Sequence, residues 1–143
     1  MEDDTNRPSA VTTALPLLRH ATVAVAAGRV ALGLVALTWP SVPARPWVGA
    51  SADELGAEVF GRAMGARDLV LGLGALTATA QAPSGSRPAS AWYAAGALSD
   101  ALDFAITVAA WPRLPRATRW LIAAAAGGAA VAGAAGTAAA LLE

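Results

Sequence analysis

ASAWYAAGALSDALDFAITVAAW, residues 89–111, is an apolar run in which only Asp100 and Asp103 carry charge. A helix needs about 20 residues to cross the ~30 Å hydrocarbon core of a bilayer. This run has that length, yet it holds two carboxylates near its centre. An aspartate at the middle of an inserted helix costs about 2.5–3.5 kcal/mol, whereas each Leu, Ile, Phe or Val returns only about 0.3–0.6 kcal/mol. Leu98, Leu102, Phe104, Ile106 and Val108 therefore do not offset the pair. The run reads as a membrane span whose carboxylates need either partners inside the protein or protonation.

Three more runs of similar length accompany it, at 21–39, 60–80 and 120–142. Breaker-rich stretches separate them: PSVPARPW at 40–47, QAPSGSRP at 81–88 and PRLPR at 112–116. Trp and Tyr favour the water interface over the bilayer centre, and Trp39, Trp92, Tyr93, Trp111 and Trp120 fall at or near the ends of the runs, with Trp47 in the first connection. The expected fold is all-α, an integral-membrane four-helix transmembrane bundle in one domain over 14–143. Residues 1–13 form a polar tail, expected to be disordered; 15–20 extend the first helix, with Pro16 in its opening turn. Arg29 interrupts the first run and no small-x-small cleavage site follows, so it is expected to stay attached and not act as a signal peptide. The first connection, broken by Pro40, Pro43 and Pro46, is expected to lie along the interface and not to form a further span.

Composition agrees. The chain is 56% hydrophobic and 14% charged, with a mean hydropathy of +0.51, well short of the roughly one quarter charged residues of a soluble domain. Zero cysteine excludes disulfides and thiol chemistry, and one histidine, His20, leaves little for imidazole chemistry. His20, near the interface, reads as solvated. A net charge of zero without a basic block leaves no electrostatic footprint for nucleic acid. All ten basic residues are arginine in a chain rich in Ala and Gly, the bias of a GC-rich bacterial genome, and the expected location is a bacterial cell membrane. Arginines flank both ends of the runs and do not decide the orientation.

The charges inside the runs share a depth. Arg29, Arg67, Asp68, Asp100 and Asp103 each lie within ~5 Å of the centre of their own run, at ~1.5 Å per helical residue. Antiparallel neighbours would bring them together as a midplane cluster of two arginines and three carboxylates. Arg62, Ser99 and Thr107 lie at its expected periphery. Steps of three and four place Gly96, Asp100, Asp103 and Thr107 on one face, and do the same for Gly61, Gly65, Asp68 and Gly72, and for Thr22, Arg29, Gly33 and Ala36. Such small residues let helices approach closely where lipid supplies no hydrophobic drive between them.

GRVALG at 28–33, FGRAMGARDLVLGLG at 60–74 and AGALSDALDF at 95–104 resemble small four-span actinobacterial membrane proteins of the DoxX-like group. The resemblance covers roughly residues 28–108, excludes the tail and the Ala/Gly-rich fourth run, and implies a multi-pass fold without an assigned activity.

Other features read as structural. GLG at 72–74 and GG at 127–128 follow no strand and do not make a dinucleotide loop. Gly128, Ala132, Gly136 and Ala140 repeat every four residues and seat the fourth run on the bundle or, alternatively, on a second copy. Asp53, Glu54 and Glu58 read as acidic opening turns of the second run with Ser51 as cap, and Glu58 and Arg62 have pairing spacing. Ser99 has no nearby histidine to activate it, and two arginines disfavour a hard cation among the carboxylates; no metal or cofactor is expected. Four roles stay open for the cluster: a structural lock, a binding or transport site for a proton, a cation or a cationic small molecule, an intramembrane acid or base, and an element of an accessory subunit of a larger membrane complex.

Overall fold

A computed structural model of the protein describes residues 10–81 and 87–142; the expected tail up to residue 9 and most of the second breaker-rich connection lie outside them. The described chain is all-helical. Five helices follow one another: α1 (Ala10–Thr38), α2 (Ser41–Val48), α3 (Leu55–Gln81), α4 (Arg87–Ala109) and α5 (Arg119–Leu142). Alanine, the strongest helix former, fills them. α1 ends just ahead of Trp39-Pro40, where the residue before proline avoids the helical region, whereas α4 ends at Ala109 and the chain tightens into a 3-10 turn over Trp111–Arg113.

Two expectations about boundaries change. α1 begins at Ala10, ahead of the expected extension from residue 15, so residues 10–13 belong to the helix and not to the tail and Pro16 lies beyond the opening turn; the first connection is not simply a loop, since α2 and a short 3-10 turn (Gly49–Asp53) occupy it. Pro43 and Pro46 sit within α2, where the helix is too short for a missing N–H to break more than one turn. Gly49, at φ 63°, turns the chain out of α2. α3 starts at Leu55, so Ser51 is not its cap; the Ser51 carbonyl instead accepts the Glu54 N–H at 3.1 Å.

The four long helices pack as two hairpins. α1 lies most extensively on α3 and α4 on α5, while narrower seams, α1 against α5 and α3 against α4, join the pairs into a ring. α1 and α4 are thus diagonal. The halves are alike in sequence at their turns: WPSVP at 39–43 follows α1 and WPRLP at 111–115 follows α4. Both turns meet at the same end, where the Thr118 hydroxyl donates to the Pro46 carbonyl at 2.5 Å and α2 packs against α1, α3 and α5.

Inside the ring the side chains are small. The buried apolar residues are Ala26, Ala36, Ala52, Ala75, Ala78, Ala89, Ala123 and Ala139, with Ile122 the one large side chain among them. Thr107 is the largest fully buried side chain among the described residues, and its hydroxyl donates to the Asp103 carbonyl at 2.7 Å. Glycines set the approach of α1 to α3: a Cβ at Gly72 would lie 2.6 Å from the Ala26 carbonyl oxygen, and one at Gly33 2.7 Å from that of Gly65. Large apolar side chains point outward instead. Phe60, Leu121 and Val131 are 74%, 67% and 71% exposed, and Leu32, Leu34, Val70, Leu98, Leu102 and Ile106 share that outer surface. Two helical stretches, Leu17–Thr38 and Arg119–Leu141, are long and apolar enough to cross a membrane; α3 and α4 carry four of the five interior charges, and α1 carries the fifth, Arg29.

Candidate functional site: an interior chain of ion pairs

The five charged residues of the central faces form one continuous chain, Asp100–Arg29–Asp68–Arg67–Asp103. Arg29 stands on α1, its Nη1 donating to Asp68 Oδ1 at 2.9 Å across the tight α1–α3 contact. Its Nη2 crosses the ring to the diagonal helix α4, donating to Asp100 Oδ2 at 2.5 Å and to the Gly96 carbonyl at 2.9 Å. Arginine suits this position because its planar fork serves several acceptors at once and its long stem spans the gap. Gly96 leaves room for it: a Cβ there would lie 3.5 Å from the Arg29 guanidinium.

Arg67 makes the second crossing. Its Nη1 and Nη2 donate to Asp103 Oδ1 and Oδ2 at 3.2 and 2.8 Å, a two-pronged grip, and its Nε and Nη2 reach back to Asp68 Oδ1 at 3.3 and 3.1 Å. Asp68 Oδ1 therefore receives donors from both arginines and ties the chain together. The Arg29, Asp68 and Asp100 side chains are about nine-tenths buried, whereas Arg67 keeps 32% of its side-chain surface exposed. Charge divides unevenly between the hairpins. The α1–α3 hairpin brings two guanidiniums and one carboxylate, and α4 brings two carboxylates.

A small cavity, about 20 Å³, lies beside the Arg29–Asp100 pair on the seams between the hairpins. That is room for about one water. Thr22, Arg29, Leu71, Trp92, Tyr93 and Asp100 are among its lining residues.

Several residues stand elsewhere than expected. Arg62 pairs with Glu58 at 3.2 Å on an exposed face and does not join the cluster. Trp92 and Tyr93, near the start of α4 as expected, are half-buried against α3: the Trp92 indole lies against Gly74, where a Cβ would run into the ring. The Tyr93 hydroxyl donates to Thr79 at 2.5 Å, since Thr79 gives its own hydrogen to the Ala75 carbonyl. The i, i+3 and i, i+4 spacing that identified the charged faces carries no signal for that link between α3 and α4. Ser99 is buried and its hydroxyl has no hydrogen-bond partner among the described residues. Gly136 packs within the chain, its would-be Cβ falling on the Thr22 methyl, whereas Gly128 meets nothing within 4 Å. His20 lies exposed on α1. Among the described residues no group of carboxylates and histidines has the arrangement of a metal site. No protein-family model, curated protein or solved structure matches the chain.

Proposed function

We propose that the protein is a multi-pass membrane protein whose four long helices, α1, α3, α4 and α5, all cross the bilayer, and that its interior ion-pair chain locks the two hairpins together. The observation that carries this reading is the inverted distribution of side chains: alanine and glycine inside, large apolar residues outside, and interior charge paired. In water, such a surface would leave a contiguous apolar belt far larger than a soluble monomer carries. In lipid it is the favourable arrangement, and close small-residue contacts and ion pairs take over the work of a hydrophobic core. At ~1.5 Å per residue the shortest of the four helices is ~35 Å long, enough to span the hydrocarbon. The DoxX-like resemblance and a bacterial cell membrane belong to the same proposal.

The chain is expected to partition wholly into detergent, and cysteines introduced at Ser41 and Ala57 are expected to react with an impermeant reagent from the same side of the membrane. Recovery of a monodisperse protein without detergent, or labelling from opposite sides, would overturn the architecture.

A second reading has its own support. The chain of ion pairs holds three carboxylates against two guanidiniums, and the cavity borders Asp100, so the surplus negative charge suits a proton or small cation passing along the hairpin seam. Proteoliposomes tell the two apart: transport requires a proton or cation flux that Asp100→Asn abolishes, whereas a lock gives no flux in either form.

A further inference from the structure

The arginines at the turn end of the bundle are not all used. Arg45 pairs with Asp53 at 2.8 Å and Arg62 with Glu58 at 3.2 Å, which engages two of the three acids of the first connection and the start of α3; the third is Glu54. The connection from α4 to α5 is different. From Phe104 to Leu142 the chain has no acidic residue, yet Arg113 and Arg116 fall within the short turn from α4 to α5 and Arg119 opens α5. Arg113 and Arg116 are exposed, and none of the three makes an ion pair with a described residue. Arg119 stacks over Trp111, its guanidinium carbon 5.0 Å from the ring centroid, and its Nε has no hydrogen-bond acceptor among the described residues.

This turn is also held in place. Trp111 meets Trp120 edge-on at 4.7 Å, Thr118 is bonded to Pro46, and the Arg113 and Arg119 backbone N–H groups donate to the Ala110 and Pro115 carbonyls. The arginines therefore project from a fixed platform, with Trp120, 70% exposed, and the apolar Leu121 beside them. Cations adjoining aromatic and aliphatic surface match a lipid: phosphate and negative charge at the headgroup, acyl chain below. Guanidinium is the side chain best fitted to phosphate oxygens.

We propose that the α4–α5 turn is a seat for the headgroup of an anionic phospholipid, held by Arg113 and Arg116 with Arg119 behind them. The proposal rests on the membrane reading. It is tested with the full chain in nanodiscs of phosphatidylcholine alone or mixed with phosphatidylglycerol, followed by native mass spectrometry of lipid retained on the protein. The protein is expected to retain phosphatidylglycerol preferentially. R113Q with R116Q is expected to weaken that retention roughly twenty- to thirtyfold, on the scale set by two interfacial arginines, whereas R45Q, which removes a paired arginine at the same end, leaves it within about twofold. Failure to enter nanodiscs overturns the membrane reading and the seat with it. Entry with equal retention of both lipids, or an unaffected double variant, overturns the seat alone. So does equally tight binding of soluble glycerol phosphate to the detergent-solubilised protein, since that places the affinity in the phosphate and not in a membrane lipid.

Discussion

Arg29→Met is expected to destabilise the bundle by about 3–5 kcal/mol, the scale on which removing one partner of a buried ion pair acts. The loss arises less from the missing attraction than from what remains. Asp68 keeps Arg67, but Asp100 loses its guanidinium partner while staying about nine-tenths buried, and the Gly96 carbonyl loses a donor to which it was bonded. Arg29→Met combined with Asp100→Leu removes the stranded charge, and stability is expected to return to within ~1 kcal/mol of the parent or to exceed it. A double-mutant cycle by unfolding in detergent measures the coupling. Arg67→Ala is expected to cost less than Arg29→Met, because Arg67 is one-third exposed and solvent already screens its ion pairs, even though the Asp103 it leaves without a guanidinium is only 13% exposed. Unchanged stability in the Arg29 variant would mean that water already reaches the cluster, and the lock reading would fall.

The second large effect is steric. Gly72→Ala is expected to cost about 1–3 kcal/mol by overpacking, and Gly72→Leu to prevent α1 from closing on α3 at all. The obstacle is backbone: the added Cβ would meet the Ala26 carbonyl at 2.6 Å and the Val30 N–H nitrogen at 3.0 Å, and neither atom can rotate away as a side chain does. Ala26 and Gly72 each lie about one helical turn from the Arg29–Asp68 contact, so parting the helices there also lengthens that ion pair. Gly28→Ala is the matched control, since nothing stands within 4 Å of its would-be Cβ; its stability is expected to stay within ~1 kcal/mol of the parent. Thermal unfolding in detergent gives the comparison. Equal tolerance of alanine at both positions would show that the α1–α3 contact is looser than the close approach at Gly72 requires.

Sequence alone determined the four long helices, the height of each charge along its own helix, and which residues share a face, but not α2 or the start of α1. Those properties are local: a helix advances by a fixed rise and turn, so residue number converts directly into height and direction. Arg29, Asp68 and Asp100 were placed at one level on faces lined by small residues by that arithmetic alone. Tertiary structure decided the rest. The pairing of Arg29 with diagonal Asp100, and of Arg67 with Asp103, depends on the order of helices around the ring and the rotation of each about its axis, which are set by contacts between segments far apart in sequence. Arg62 lies within two turns of Asp68 along the chain, yet it turns to Glu58 on an exposed face. Trp92 has the composition of an interfacial residue, yet it lies against α3 because Gly74, eighteen positions earlier, leaves a place for its ring. An arginine's long stem lets it reach more than one neighbouring helix, so spacing fixes its height, while only the packed ring selects the carboxylates it meets.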